Sequence, residues 1–158
     1  MSVAKYHLTK KGLQRVKKEY QSFIDFKKMK TKGQVPPTWE SEEVNPDYLA
    51  FQEDMSLLDA RLTEYENILN NVDLIILPPK KDRSSVCMGA TVTLQEIPGG
   101  MINEYTLLGS MEANPAEGKI SSDSPVGKEL LGKAMGEEVL ISSPIRVVYK
   151  VKKIVYSL

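Results

Sequence analysis

The sequence predicts an α+β protein in which a helical hairpin precedes a small domain of strands around one short helix. Three observations predict it: two segments with apolar residues at coiled-coil spacing, a later region of alternating apolar residues, and a proline-containing charged linker between them. The 158 residues are 41% hydrophobic and 27% charged, which suits a folded chain with a modest core. We place the hairpin domain at residues 1–76, the linker at 77–83 and the second domain at 84–158.

The first predicted helix is short and basic. Its apolar positions follow the spacing of a coiled-coil seam and are Leu13, Val16, Tyr20 and Phe23. Thr9 is a suitable N-cap, and the pattern fades before Gly33. Residues 10–32 carry nine basic and two acidic side chains, so this segment is strongly positive.

The second predicted helix is longer and acidic. Its apolar residues recur in alternating steps of four and three and are Phe51, Met55, Leu58, Leu62, Tyr65, Leu69 and Val72. Asn45 followed by Pro46 is typical of an N-cap and a first-turn proline. Residues 40–73 carry ten acidic side chains and one basic side chain. Two apolar seams and opposite charges predict that the helices pair antiparallel over residues 9–72.

The second domain reads as an antiparallel sheet with one short helix. The predicted strands cover residues 86–94, 104–108, 138–142 and 145–156. Gly99-Gly100 and Ser143-Pro144 are predicted turns, and Ser124-Pro125 is predicted to cap and begin the helix, which Gly132 ends.

Several classes of function are disfavoured by composition. The single cysteine, Cys87, excludes an internal disulfide and a cysteine-built zinc site, and the single histidine, His7, excludes most histidine-rich metal or acid-base sites. No apolar run approaches the roughly 18 to 20 residues that span a bilayer, and the first residues lack the apolar centre of a signal peptide. We therefore expect a cytoplasmic protein that does not act at a membrane.

The loop between the predicted helices concentrates charged residues that could carry chemistry. Its carboxylates are Glu40, Glu42, Glu43 and Asp47. Such a cluster can bind a hard cation such as Mg²⁺, whereas the alternative interpretation is a solvated acidic loop. Basic residues at the end of the first helix could contact a phosphate backbone or form a solvated helix end. They are Lys27, Lys28, Lys30 and Lys32.

A series of short motifs follows one order along the chain. They are Leu8-Thr9-Lys10-Lys11-Gly12-Leu13, Asn45-Pro46-Asp47-Tyr48, Gly89-Ala90-Thr91-Val92, Ile120-Ser121, Ser124-Pro125, Leu131-Gly132-Lys133 and Gly136-Glu137-Glu138-Val139. In these motifs, and over most of its length, the chain resembles the bacterial Gre transcript-cleavage factors, GreA and GreB.

The resemblance implies a transcription elongation factor that is not itself an enzyme. It implies a second domain like that of FK506-binding proteins (FKBP-like), which docks on RNA polymerase, and a coiled coil that enters the secondary channel of the polymerase. There, tip carboxylates would complete a Mg²⁺ site, so that the polymerase hydrolyses backtracked RNA. The implied partners are RNA polymerase and the 3′ end of nascent RNA, with Mg²⁺ shared with the polymerase and no stably bound cofactor. We expect a monomer, and the nearly neutral second domain argues against direct contact with DNA.

The tip departs from the family pattern. When the chain is aligned on Asn45 and Tyr48, the carboxylates of the family fall on Ser41 and Val44, neither of which offers a carboxylate. The departure leaves open a Gre-like regulator or inhibitor that occupies the channel without promoting cleavage. Prolyl isomerisation is suggested by the fold resemblance alone, which does not fix function, and the second domain has no Trp.

Other carboxylates can replace the missing pair. We assign the catalytic role to Glu42 and Glu43, with Glu40 and Asp47 as alternatives. We assign Mg²⁺ binding, within the polymerase active site only, to Glu42 and Glu43. Glu40 and Glu43 preserve the three-residue separation of the family pair one position earlier. The four lysines at the end of the first helix are the expected RNA contacts.

Overall fold

A computed structural model describes residues 3–33, 35–40, 43–142 and 145–158, with only the backbone described for Trp39 and Glu40. Its elements are β1 (Tyr6–Leu8), α1 (Lys10–Lys32), β2 (Trp39–Glu40), β3 (Glu43–Val44), α2 (Pro46–Asn70), β4 (Val72–Leu74), β5 (Ala90–Glu96), β6 (Ile102–Leu108), β7 (Lys119–Ser121), α3 (Pro125–Leu130), β8 (Glu138–Ile141) and β9 (Val147–Tyr156). Contacts divide the chain into a hairpin unit, Leu13–Asn71, and a globular unit formed by Met1–Gly12 and Val72–Leu158. No helix within the described ranges is long and apolar enough to cross a membrane.

The two long helices begin at the predicted caps. The Thr9 hydroxyl accepts a hydrogen bond from the backbone N–H of Gly12 at 3.0 Å, and the Asn45 side chain accepts one from the N–H of Asp47 at 3.0 Å. These bonds satisfy backbone donors that the first turn of a helix leaves free. Both predicted helix starts are therefore confirmed.

The helices of the hairpin unit pair antiparallel, as predicted. Lys27 Nζ lies 2.5 Å from Asp59 Oδ1, and Lys30 Nζ lies 3.3 Å from Asp54 Oδ2. As the residue number increases along α1, the residue number of the partner on α2 decreases, as antiparallel pairing requires. Both lysines continue the seam of α1 beyond Phe23 by steps of four and three, and both are half-buried. Near the tip, charge pairing therefore replaces part of the apolar seam. Each such surface pair contributes about 0 to 1 kcal/mol.

Two crossed tyrosine–glutamate hydrogen bonds join the helices further from the tip. The Tyr20 hydroxyl donates to Glu66 Oε1 at 2.8 Å, and the Tyr65 hydroxyl donates to Glu19 Oε2 at 2.7 Å. In each case the hydrogen bond to the carboxylate is the main cause that raises the pKa of the tyrosine, with desolvation adding to it. The carboxylates thus hold both phenols in their protonated form.

These bonds predict an alkaline loss of hairpin stability. Because both pKa values are raised above the ordinary 10.0, the stabilisation is fully present below about pH 10 and is lost as the pH rises through the raised values. We expect the melting temperature of the wild type to exceed that of the Tyr20→Phe/Tyr65→Phe variant near neutral pH, and the gap to close above about pH 10. Thermal unfolding followed by circular dichroism from neutral to alkaline pH measures this gap. A gap that is unchanged in strong alkali would contradict the prediction.

The globular unit contains a five-stranded sheet in the order β7-β6-β5-β9-β8. Its pairs are antiparallel except that β7 runs parallel to β6, so the sheet is mixed, and the predicted wholly antiparallel sheet is wrong at this edge. β7 has only three residues, too few for a periodic signal. The buried core beneath the sheet consists of Val86, Ala90, Val92, Leu94, Leu107, Ile120, Leu130, Val139, Ile141 and Val151.

Most other predicted elements of this unit are present with adjusted bounds. The first strand begins at Ala90 rather than Val86, which still packs in the core. Ser124 caps α3 by accepting a hydrogen bond from the N–H of Gly127 at 3.1 Å, as predicted. The predicted Ser143-Pro144 turn lies outside the described residues.

A short parallel ladder between β1 and β4 corrects the predicted end of the second helix. Val72, predicted as the last position of the helical seam, instead pairs with Tyr6, and α2 ends at Asn70. The N–H of Ile75 continues the ladder by donating to the carbonyl oxygen of Leu8, a fully buried residue, at 2.8 Å. The ladder explains why the first residues of the chain group with the globular unit.

The start of α1 is also bound by a residue distant in sequence. Glu112 accepts hydrogen bonds from the Thr9 backbone N–H at 2.8 Å and from the Thr9 hydroxyl at 2.6 Å. The Thr9 hydroxyl therefore donates to a carboxylate while it accepts from Gly12, and both capping partners are satisfied.

Candidate functional tip of the hairpin

The loop between α1 and α2, residues 33–45, forms the tip of the hairpin. It contains the antiparallel pair of β2 and β3, whose register sets Trp39 opposite Val44 and Glu40 opposite Glu43. Directly opposed positions in an antiparallel pair are the nearest neighbours across it. The backbone thus brings two of the candidate acidic residues to adjacent positions.

Asn45 connects the two sides of the tip. Its side-chain nitrogen donates to the carbonyl oxygen of Pro37 at 2.9 Å, while its side-chain oxygen caps α2 at Asp47. Its backbone N–H donates to the carbonyl oxygen of Thr38 at 3.0 Å, which extends the β2–β3 pairing by one step. The sequence indicated only the capping role, because a bond to a carbonyl eight residues away has no local sequence signal.

The candidate carboxylates are not all among the described residues. Glu43 is exposed in β3, and Asp47 is exposed in the first turn of α2. Glu42 lies outside the described residues, so its pairing with Glu43 remains a prediction. Within the described ranges no group of three or more His, Cys, Asp or Glu side chains could hold a metal ion.

The four candidate lysines divide into two pairs. Lys27 and Lys30 face α2 and form the ion pairs with Asp59 and Asp54, and Lys30 also lies 5.6 Å from the ring centre of Phe26. Lys28 and Lys32 are exposed, and no ion pair joins either to another described residue.

Comparison with known proteins identifies the family. Residues 80–156 match the family model described as "Transcription elongation factor, GreA/GreB, C-term". Over 141 residues the chain is 35% identical to transcription elongation factor GreA of Bacillus anthracis. This alignment covers 88% of this chain and 89% of that protein. The chain belongs to the GreA/GreB family. Its identity to GreA of Thermomicrobium roseum is 35% over 139 residues, covering 87% of this chain and 88% of that protein.

Solved structures similar to this GreA/GreB family member include two that align over nearly the whole chain. GreA factor homolog 1 (Gfh1) of Thermus thermophilus is 22% identical, with a TM-score of 0.43, and the match covers 96% of this chain and 99% of that chain. Prokaryotic transcription elongation factor GreA/GreB from Nitrosomonas europaea is 17% identical, with a TM-score of 0.46, over 97% of this chain and 99% of that chain. The family assignment rests on the sequence matches alone.

The resemblance stated from the motifs is thereby confirmed at the level of the family. The α+β class with two long helices is confirmed by the fold. The FKBP-like description of the globular unit, like the roles of the tip residues, remains a prediction.

Proposed function

We propose that this GreA/GreB family member binds RNA polymerase through its secondary channel and stimulates cleavage of backtracked nascent RNA. The observation that carries the proposal is the acidic tip between two paired helices in a chain of a transcription elongation factor family. In this function the factor is not an enzyme, because the polymerase supplies the hydrolytic centre. The globular unit would dock on the polymerase, with the nascent RNA 3′ end near the tip.

The donor set of the tip suits Mg²⁺. This ion prefers oxygen ligands, keeps several waters, and is usually held by one or two protein carboxylates together with phosphate groups. Bound in the polymerase, it would polarise the scissile phosphate and lower the pKa of the attacking water. The role of the tip is to bring carboxylates to that centre, and we expect the isolated factor to bind the ion weakly or not at all.

Two pairs of carboxylates compete for this role. Glu42 and Glu43 are the pair assigned from the sequence, and Asp47 is a further alternative. The register that sets Glu40 opposite Glu43 supports the pair of Glu40 and Glu43. Because Glu43 belongs to both pairs, it is the residue whose role is best supported.

The lysines at the end of α1 would face the RNA. Lys28 and Lys32 are better suited than Lys27 and Lys30, since the latter are neutralised by α2. A free cationic side chain can pair with a phosphate without first breaking an existing ion pair.

A second candidate function is a channel-binding regulator or inhibitor without cleavage activity. It is favoured by Ser41 and Val44 at the two positions where the family pattern has carboxylates. Val44 cannot ligate a cation, and it lies exposed in β3.

A transcript-cleavage assay distinguishes the two functions. The protein is added to backtracked elongation complexes of its own RNA polymerase, and RNA shortening is followed with time. Faster cleavage supports the proposed function. No stimulation, combined with competition against an authentic Gre factor, supports the regulator, and absence of both effects contradicts both.

A further inference from the structure

Asn45 is the buried polar residue of the tip. Only 5% of its surface is exposed, although both neighbours, Val44 and Pro46, are exposed. Burying a carboxamide is unfavourable unless its donor and acceptor find partners. Here both do, so the burial requires a specific arrangement of the surrounding backbone.

The two partners belong to opposite sides of the tip. Pro37, which accepts from Asn45 Nδ2, lies two residues before β2, and Asp47, which donates to Asn45 Oδ1, lies in the first turn of α2. Among side chains of this size, only a carboxamide offers one fixed donor and one fixed acceptor. The bond pattern also fixes which end of the carboxamide is oxygen, because a backbone N–H requires an acceptor and a carbonyl requires a donor.

The β2–β3 pair needs such an attachment. Each strand has two residues, and an isolated two-stranded hairpin is at best marginally stable in water. The described bonds that join the base of this pair across the tip are made by Asn45, through its side chain to Pro37 and its backbone to Thr38. Through them, the start of a long helix holds a very short ladder in register.

We propose that Asn45 is a positioning residue for the tip carboxylates, an inference that rests on the cleavage function proposed above. Its hydrogen bonds connect the residues just before β2 to the start of α2. They thereby hold the backbone of Glu43, and of the position opposite it in β2, in place. Catalysis by a preassembled ligand set depends strongly on such positioning, since a displacement of about 1 Å can lower a rate by about 100-fold.

The Asn45→Asp variant removes the side-chain hydrogen bond to Pro37 while it keeps the cap of α2. Asp is nearly the same shape as Asn and is an equally good N-cap, so the start of α2 is kept. It lacks the N–H donor, however, and its oxygen would face the carbonyl oxygen of Pro37. Gln52→Glu makes the same chemical change at an exposed position of α2 and is the matched control for added charge.

Two measurements on the full chain test the proposal. By NMR, the backbone amide of residue 45 should exchange about tenfold faster in Asn45→Asp, while amides in the middle of α2 are unchanged. In the cleavage assay, the rate at saturating factor should fall by about 10- to 100-fold, while the concentration for half-maximal effect changes less than about twofold. Gln52→Glu should resemble the wild type in both.

Each outcome decides the proposal. Unchanged exchange at residue 45 overturns it, as does faster exchange with an unchanged maximal rate. If the wild type does not stimulate cleavage, the proposed function fails, and the exchange data alone then decide whether Asn45 holds the tip. An equal loss in Gln52→Glu would attribute the effect to charge and would also overturn the proposal.

Discussion

Replacement of both Glu42 and Glu43 by Ala is expected to lower stimulated RNA cleavage by about 100-fold or more. The reason is that the tip then supplies fewer carboxylates to a Mg²⁺ that the polymerase leaves incompletely ligated. Polymerase binding should change less than about twofold, because the proposed docking surface lies on the globular unit, which these substitutions leave unchanged. Cleavage rates at saturating factor, with competition binding measured in parallel, check both parts.

The matched control removes the same charge from α2, outside the tip. Glu53→Ala with Glu64→Ala alters two exposed glutamates outside the tip and should leave cleavage nearly unchanged. A third variant, Glu40→Ala with Glu43→Ala, tests the pair indicated by the strand register. If the Glu42/Glu43 variant still stimulates cleavage while this one does not, the assignment made from the sequence is wrong and the opposed pair carries the function.

Gly109→Ala is expected to destabilise the globular unit by about 3 kcal/mol or more. A Cβ at this position would overlap the carbonyl oxygen of His7 in β1. The φ of Gly109 is −72°, which any residue can adopt, so the requirement is close approach rather than backbone conformation. To relieve the overlap, the backbone of the β1–β4 ladder would have to move. A ladder backbone cannot move aside as easily as the end of a flexible side chain.

Native-state hydrogen exchange of the β5 amides measures this loss, because exchange of core amides reports unfolding of their unit. Gly33→Ala is the control, since among the described residues its Cβ would meet no atom closer than 3.6 Å, and the substitution should be tolerated. Equal protection of β5 in Gly109→Ala and in the wild type would show that β1 can withdraw without cost, and the prediction would then be wrong.

The local features of the fold were predictable from the sequence. Thr9, Asn45 and Ser124 mark helix starts because capping acts within three residues, and the helical seams repeat often enough to be recognised. The β1–β4 ladder was not predictable, because strands of three residues show no periodicity. The bond between Thr9 and Glu112 joins positions 103 apart, and nothing in either local sequence indicates the other.

The candidate site was predictable in composition but not in arrangement. The carboxylates and lysines stand out by charge, but charge alone does not distinguish lysines that pair with the second helix from those that remain free. Lys27 and Lys30 could have been separated from Lys28 and Lys32 by extending the seam spacing past Phe23. The opposition of Glu40 and Glu43 depends on strand register, which the sequence of residues 39–44 does not determine.

The β1–β4 ladder has a consequence for how such proteins can diverge. Leu8 and Leu74 are partners across it, so both ends of the segment between them are fixed side by side within one globular unit. In topological terms the helical segment is an insertion into the globular domain, and the β1–β4 ladder of that domain joins the two ends of the insertion. Substitutions at the tip of this segment can therefore arise without changes in residues 80–156, the part that matches the family model. The host domain can then stay the same while the tip changes, as at Ser41 and Val44, whose side chains carry no carboxylate.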